Sequence, residues 1–100
     1  MKIRILKVAQ LEFNESKAYY EIEQAGLGHK FEAEIKNALK KILQFPNAWP
    51  IERSGIRRFV SHRFPYKILY SIENDEILII AFAHLHRRPG YWKDRTKEIN

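Results

Sequence analysis

The 100-residue sequence predicts an α+β fold in which a helical hairpin packs on one face of a small, mostly antiparallel twisted sheet. Apolar residues recur at helical spacing through the first half of the chain and at spacing two through the second half. A chain of this length with 45% hydrophobic and 13% aromatic residues is also typical of one compact domain, 1–100, with no room for a second. The predicted order of elements is β-α-α-β-β-β.

A short strand and a first helix account for the beginning of the chain. Lys2 to Lys7 alternates charged with apolar residues, which predicts a strand. From about Ala9 to Gln24, the residues Leu11, Ala18 and Ile22 recur at helical spacing. They are therefore predicted to form the apolar stripe of the first helix.

A glycine-containing turn, Gly26-Leu27-Gly28, separates this helix from a second one. The second apolar stripe runs until Pro46 breaks the helix. Its members are Leu27, Phe31, Ile35, Leu39, Ile42 and Leu43. Two helices of similar length joined by a short turn predict an antiparallel hairpin.

Beyond Pro50 the period of the apolar residues changes to two. Ile56 to Ser61 predicts a short strand and Tyr66 to Ile72 a longer one. Asn74-Asp75 lies where a tight turn would reverse the chain. Ile77 to Leu85 is apolar on both faces, so a central strand is predicted there.

Strand alternation assigns the side chains of the longer strand to two faces of the sheet. Arg63, Lys67 and Ser71 are predicted on the face away from the helices, where basic groups would line an exposed concavity. The segment Tyr91 to Lys97 that follows the last strand is interpreted as a polar tail with a helical turn. The residues predicted to face the helices are Tyr66, Ile68, Tyr70 and Ile72.

The charge is strongly uneven along the chain. Eighteen Lys and Arg against twelve Asp and Glu give +6, which predicts attraction to phosphates or to an acidic protein. Residues 53–70 and 77–93 contain no acidic side chain. The helix acids are interpreted as a solvated face; they are Glu12, Glu15, Glu21, Glu23, Glu32 and Glu34.

Several classes of function are disfavoured by the composition. The chain has no cysteine, which excludes disulfides and thiolate metal sites and fits a reducing, cytoplasmic location. The beginning of the chain lacks the apolar core of a signal peptide, and the longest apolar run, Ile77 to Ala83, falls well short of the roughly 20 residues of a membrane span. The sequence also lacks a phosphate-binding glycine loop and a serine nucleophile elbow, and nothing in it indicates a metal site or a cofactor.

Six short motifs occur in a fixed order along nearly the whole chain. They are Tyr19-Tyr20, Gly26-Leu27-Gly28 with Phe31, Phe45-Pro46, Arg57-Arg58-Phe59, the run Phe64 to Tyr70, and His84 with the run Arg87 to Trp92. No single motif is specific, but the ordered set resembles the RelE/ParE superfamily of bacterial toxins. The set is more similar to the ParE-like branch, the plasmid stabilisation proteins, than to RelE.

The resemblance implies the toxin of a type II toxin–antitoxin system. A cognate antitoxin would neutralise it and help to repress their common promoter, so operator DNA would be contacted only through the antitoxin. Similarity to the ParE branch implies inhibition of DNA gyrase, which is the first hypothesis. The alternative is a RelE-like endoribonuclease that cuts messenger RNA on the ribosome without a metal. A third hypothesis, a nucleic-acid-binding module without toxic activity, is supported only by the charge.

Candidate catalytic residues follow from the ribonuclease alternative. The resemblance implies that Lys67 and Arg88, together with Arg58 or Arg63, would stabilise the scissile phosphate. His84 or Tyr91 would transfer protons. The ordinary histidine pKa, near neutrality, suits such acid–base work. Each residue also has a plain structural interpretation: a solvated strand lysine, a surface arginine, a packed histidine at a strand end, and a tyrosine folded over the core.

Candidate residues for binding the target or a nucleic acid are the basic ones of the second half. Arginine holds phosphates and carboxylates bidentately, which suits either kind of partner. Neighbours in a strand face opposite ways, so only one of Arg57 and Arg58 is expected on the open face. Ordinary surface charge is the alternative for the whole set, which is Arg57, Arg58, Arg63, Lys67, Arg87 and Arg88.

Overall fold

The computed structural model describes residues 1–95, which form two helices and five strands. The elements are β1 (Lys2–Ile5), α1 (Lys7–Glu23), α2 (Leu27–Gln44), β2 (Ile51–Arg53), β3 (Ile56–Val60), β4 (Tyr66–Glu73) and β5 (Glu76–His84). This arrangement confirms the predicted α+β fold and adds one strand, β2. With three residues, β2 is too short to show a period of two.

The strands form one sheet in the order β1-β5-β4-β3-β2. β1 runs parallel to β5, with Lys2 opposite Glu76, and every other neighbouring pair is antiparallel. β5 is an interior strand, as predicted, and its residues 77–83 are all buried. The predicted turn is also present: Asn74 and Asp75 have φ of 46° and 64°, the left-handed backbone that a tight hairpin turn requires.

Two glycines shape the interhelical turn for different reasons. Gly26 has φ of 88°, a backbone conformation that side chains disfavour. At Gly28 a Cβ atom would lie 2.8 Å from the Lys17 carbonyl oxygen, so the close approach of the two helices requires glycine. The Glu21 carboxylate accepts the N–H groups of both glycines, at 2.8 and 3.0 Å. These hydrogen bonds, the Gly26 bond first, lower the pKa of Glu21.

The sheet face that carries the helices, here called the helix face, holds an aromatic cluster. Phe31 of α2 is fully buried, and its ring centroid lies 5.2 Å from those of Tyr20, Phe64 and Tyr66. Phe13 of α1 stacks on the same ring at 5.6 Å. The predicted orientation of β4 is confirmed, since the residues that pack into this core include Tyr66, Ile68, Tyr70 and Ile72.

The prediction of the apolar stripe of α1 was wrong. Phe13 and Tyr20 pack on the core, whereas Leu11 and Ile22 are 58% and 86% exposed and Ala18 is exposed as well. Apolar residues occur on both sides of this helix, so spacing alone does not decide which side is buried. The side with the aromatic rings packs inward because those rings bury more apolar area.

The opposite face of the sheet, here called the second face, is not the open concavity that was predicted. Its hydrophobic side chains are covered by Trp92, which is 2% exposed, and partly by Tyr91 and Leu6. Ser71, predicted to be exposed there, is 6% exposed. The covered residues are Ile56, Leu69, Leu78, Ile80, Ala81 and Ala83. β5 is apolar on both sides, and the chain that follows it supplies the cover for the second side.

The segment interpreted as a polar tail forms a short helical turn in its described part. Lys93 and Arg95 donate their N–H groups to the carbonyl oxygens of Gly90 and Trp92, at 3.0 and 2.9 Å. This i to i+3 pattern is that of a 3₁₀ turn. Residues 96 and 97 of the predicted tail lie outside the described residues.

Candidate functional site at the basic end of the sheet

Three strand ends meet at one end of the sheet. Tyr66 at the start of β4 lies opposite His84 at the end of β5, and β3 ends beside them. The Leu85 N–H donates to the Pro65 carbonyl oxygen at 2.8 Å, so the loop before β4 and the segment after β5 are adjacent. Four of the predicted binding residues gather here, and we call this region the basic end: Arg63, Lys67, Arg87 and Arg88.

A small pocket opens at the basic end. It has a volume of about 60 Å³ and is lined by the catalytic candidates Lys67, His84, Arg88 and Tyr91, together with Arg87. Arg58 and Arg63, the alternatives for the phosphate, do not line it. Ligand sites for whole small molecules usually exceed about 300 Å³. The pocket therefore suits one small group, such as a carboxylate or a phosphoryl group, held by the surrounding cations.

Lys67 does not present a free charge to this pocket. Its Nζ lies 2.6 Å from Oε2 of Glu52 on β2, and the two side chains are only 22% and 16% exposed. A carboxylate at this distance offsets much of the field that the ammonium group would exert on an incoming anion. Lys67 is therefore less available for stabilising a phosphate than its position in the sequence predicts.

The Tyr91 hydroxyl is committed to a neighbouring carboxylate. It donates to Oε2 of Glu12 at 2.6 Å, and the Arg87 guanidinium lies 4.0 Å from the centre of its ring. Burial first, and then the hydrogen bond and charge of Glu12, raise the pKa of Tyr91. The phenol therefore keeps its proton near neutral pH and is poorly suited to general acid–base work.

Glu12 of α1 holds the cover of the second face in place. Besides the hydrogen bond from the Tyr91 hydroxyl, its carboxylate accepts hydrogen bonds from both terminal nitrogens of Arg95, at 2.7 and 2.9 Å. It also accepts one from the N–H of Phe82 at 3.2 Å. Arg95 also donates to the Ile80 carbonyl oxygen at 3.0 Å. β5 continues beyond the end of β1, and these two side chains satisfy backbone groups on that stretch.

His84 lies between the pocket and α1. Its ring meets that of Tyr66 edge-on, with centroids 5.1 Å apart, and its Nδ1 accepts the His86 N–H at 3.0 Å. The neutral ring therefore carries its proton on Nε2. Burial and then the neighbouring His86 lower the pKa of His84, which keeps the ring neutral near pH 7.

The predictions for Arg57 and Arg58 have different outcomes. Arg57 shares the helix face with Phe59, and its Nη1 donates to the carbonyl oxygens of Trp49 and Asn47 at 2.7 and 3.2 Å. It therefore braces the connector between α2 and β2. Arg58 lies on the second face, and its Nη1 makes one long contact, 3.5 Å, with the Ile51 carbonyl oxygen. Only Arg58 lies on the second face, so strand alternation correctly predicted that the two side chains point opposite ways.

The face predicted for Arg63 was wrong. Strand alternation applies only within a strand, and Arg63 precedes β4 in the loop after β3. Its N–H donates to Oε2 of Glu34 on α2 at 3.0 Å, which places this residue toward the helices. Arg63 therefore belongs to the basic end but lies across the sheet from the small pocket.

Sequence reasoning missed four residues that shape this region. Glu12 was interpreted as a solvated helix acid and Glu52 was not considered. Arg95 was not selected, and neither was Arg53, whose Nη1 approaches Gly90 so closely that a Cβ atom there would lie 2.6 Å away. Each of the four acts through a partner distant in the sequence. The one sequence signal for them was that β5 is apolar on both sides, because its second side then requires a cover.

Two negative findings concern the described part of the chain. Among residues 1–95, no group of three or more histidine or acidic side chains is placed to hold a metal ion. Neither of the two helices is long and apolar enough to cross a bilayer.

Comparisons with known proteins add a sequence family and a structural relative. A family model described as the ParE toxin of type II toxin–antitoxin system parDE matches residues 3–89. The fold is similar to a solved chain titled "Chromosomal ParDE TA system from P. aeruginosa", with a TM-score of 0.75 and 19% identity. The match covers 84% of this chain and 95% of that one. No curated protein matches the sequence significantly.

Proposed function

This chain belongs to the family of ParE toxins of type II toxin–antitoxin systems, and from that premise we propose that it inhibits DNA gyrase through its basic end. The observation that carries the proposal is that Arg87 and Arg88 are exposed, whereas the Tyr91 hydroxyl, a candidate for proton transfer, is already hydrogen-bonded to Glu12. Among residues 1–95 neither arginine forms an ion pair with a carboxylate. Such a surface binds anionic groups and needs no chemical step.

We infer the partner and the cellular setting from the family. As one half of a two-protein system, the toxin has an antitoxin partner that holds it inactive. We propose that residues 1–100 form a single domain, which acts in the cytoplasm, where gyrase is found. Operator DNA is contacted only through the antitoxin. The excess of cations in residues 53–70 and 77–93 supports binding to acidic protein surfaces or to the DNA that gyrase carries.

A ribosome-dependent endoribonuclease is the second candidate, and one observation favours it. Lys67, His84, Arg88 and Tyr91 line the same small pocket, so a scissile phosphate there would meet cations and two titratable rings. Two contacts oppose it. The Tyr91 proton is held by Glu12, and the Lys67 charge is offset by Glu52. Binding therefore explains the site better than catalysis.

Purified components test the proposal directly. The chain is expected to inhibit supercoiling by gyrase, and the double variant Arg87→Ala, Arg88→Ala is expected to require a roughly tenfold or higher concentration for the same inhibition. The control variant Lys7→Ala, Lys30→Ala removes two exposed charges from the helices and is expected to inhibit like the wild type. In cells, expression of the chain alone is expected to arrest growth with DNA-damage signalling.

The ribonuclease candidate has its own readout in a translating extract. Gyrase inhibition that is equal for the double variant and the wild type would exclude the basic end as the docking surface. Cleavage of messages on the ribosome that is lost in Lys67→Ala, with gyrase unaffected, would replace the gyrase proposal by the ribonuclease. Folding of each variant is checked by its melting curve.

A further inference from the structure

The Arg87 side chain lies at the boundary between two cavities of the basic end. It lines the small pocket, and it also lines a cavity of about 220 Å³ between α1, the start of β4 and the end of β5. We call this second space the α1 cavity; its other walls include Tyr66 and His84. An arginine side chain at this boundary can present its guanidinium to a bound partner or fold back beside α1.

The ring of Tyr91 selects between these positions. The central carbon of the Arg87 guanidinium lies 4.0 Å from the centre of that ring, well within the distance at which an aromatic face attracts a cation. Tyr91 is only partly exposed, whereas Arg87 is exposed. The contact therefore holds the guanidinium against a shielded ring and leaves the side chain open to a partner.

The neighbouring Arg88 has no such support. Both arginines are exposed and both line the small pocket. Within residues 1–95, however, the Arg88 guanidinium lies over no aromatic ring. A side chain that is already held loses less conformational entropy when a partner binds it. Arg87 is therefore better prepared than Arg88 to bind an anionic group.

The ring of Tyr91 is itself held from the side of α1. Its hydroxyl donates to Glu12 at 2.6 Å, and Arg95 donates to the same carboxylate at 2.7 and 2.9 Å. The side chains of Glu12 and Arg95 are only 14% and 16% exposed. Glu12 lines the α1 cavity together with Arg87, but these contacts already occupy its carboxylate oxygens. Glu12 is therefore a poor competitor for the Arg87 guanidinium.

We propose that Tyr91 is a positioning residue for target binding: its ring holds the Arg87 guanidinium at the basic end, where an anionic group of the target binds it. This role rests on the proposed function, because it concerns the surface that meets gyrase. Tyr91 acts through Arg87 and performs no chemical step. Without the ring, Arg87 samples more conformations, including those that turn it toward the exposed Glu15 carboxylate of the α1 cavity.

Inhibition of gyrase supercoiling by single and double variants tests this coupling. Tyr91→Leu keeps an apolar side chain over the second face but removes the ring, and it is expected to require a roughly three- to tenfold higher concentration for half inhibition. Tyr91→Phe keeps the ring and is expected to recover most of that loss. In the Arg87→Ala background, Tyr91→Leu is expected to have no further effect, because the partner of the ring is already gone. Arg88→Ala is the matched background, in which the full effect of Tyr91→Leu is expected.

A second measurement does not depend on gyrase. The ring current of Tyr91 is expected to move the NMR signals of the Arg87 side-chain protons upfield relative to those of Arg88. Tyr91→Leu is expected to abolish this difference. Melting curves show the temperature range in which each variant is folded, and all comparisons are made within it.

The outcomes distinguish the positioning role from the proposed function. If Tyr91→Leu lowers inhibition equally in the Arg87→Ala and Arg88→Ala backgrounds, its role is only structural, and the positioning proposal is overturned while gyrase inhibition stands. Inhibition by Tyr91→Leu that equals that of the wild type, or unshifted Arg87 signals in the wild type, also overturns it. If the wild type does not inhibit gyrase, the proposed function fails, and the role of Tyr91 in target binding fails with it even when the Arg87 signals are shifted.

Discussion

The two faces of the sheet are covered in different ways. On the helix face, helices of 17 and 18 residues bury an aromatic cluster in which Phe31 meets four other rings. On the second face, the chain after β5 supplies Trp92, and a single carboxylate, Glu12, holds that cover through Tyr91 and Arg95. Apolar area spread over many residues stabilises the first face, whereas the second depends on one buried tryptophan and a few polar contacts.

This difference bears on the candidate site. The small pocket is built from the end of β5 and the turn that follows, so its shape depends on the Glu12 contacts. The aromatic cluster of the helix face does not depend on them. Removal of the Glu12 charge is therefore expected to alter the pocket before it alters the aromatic cluster of the helix face.

The largest effect is expected from Phe31→Ala on the helix face. Removing this fully buried ring should lower the free energy of unfolding by about 3–5 kcal/mol, because a cavity remains among its aromatic neighbours. Urea denaturation followed by circular dichroism measures the loss. Ile22→Ser is the control, because this side chain is 86% exposed, and a change below about 0.5 kcal/mol is expected. Comparable losses in both variants would mean that α1 packs by its other side.

A smaller effect is expected from Glu12→Gln on the second face. The amide keeps the shape of the side chain but removes the charge that Arg95 requires, which should cost about 2–3 kcal/mol. Glu15→Gln changes an exposed acid on the same helix and should leave stability nearly unchanged. A double-mutant cycle with Arg95→Ala isolates the coupling. Additive losses in that cycle would contradict the role of Glu12 as the anchor of the cover.

The smallest effect, on the order of 1–2 kcal/mol per tyrosine by about pH 11, is expected in alkaline solution. Burial raises the pKa of Tyr70 to about 12, and burial with Glu12 raises the pKa of Tyr91. A raised folded-state pKa contributes stability that is complete below the unfolded value of 10 and disappears as the pH rises toward the folded value. Unfolding titrations between pH 10 and 12 should therefore show falling stability, with a shallower slope in Tyr70→Phe and in Tyr91→Phe. If the slope is unchanged in Tyr91→Phe, the Tyr91 hydroxyl does not contribute to this loss of stability.

The sequence predicts most of the fold because the fold depends on local periodicity. The hairpin, the long strands and the turn at Asn74-Asp75 all leave signals within a few residues of one another. The three-residue strand β2 leaves none, and the weakly amphipathic α1 offers two sides of similar hydrophobicity. The choice between those sides is made by packing against Phe31, which lies in another element.

The candidate site is predictable only in part for the same reason. Arg87 and Arg88 adjoin in the sequence, so their clustering at a strand end can be read directly. The contact between Arg95 and Glu12 joins residues 83 positions apart, so no local sequence pattern predicts it. The wrong face for Arg63 arose because alternation was extended past the start of β4.

The parallel pairing of β1 with β5 also sets the time at which the protein can mature. β1 is translated first, yet Lys2 to Ile5 meet their hydrogen-bonding partners only once Glu76 to Ile79 have left the ribosome. Until then the sheet lacks its parallel edge, so a nascent chain cannot complete its native topology. β1 precedes the other strands in the chain, yet it is among the last to join the sheet, because its pairing partner β5 is made only after all the other described elements.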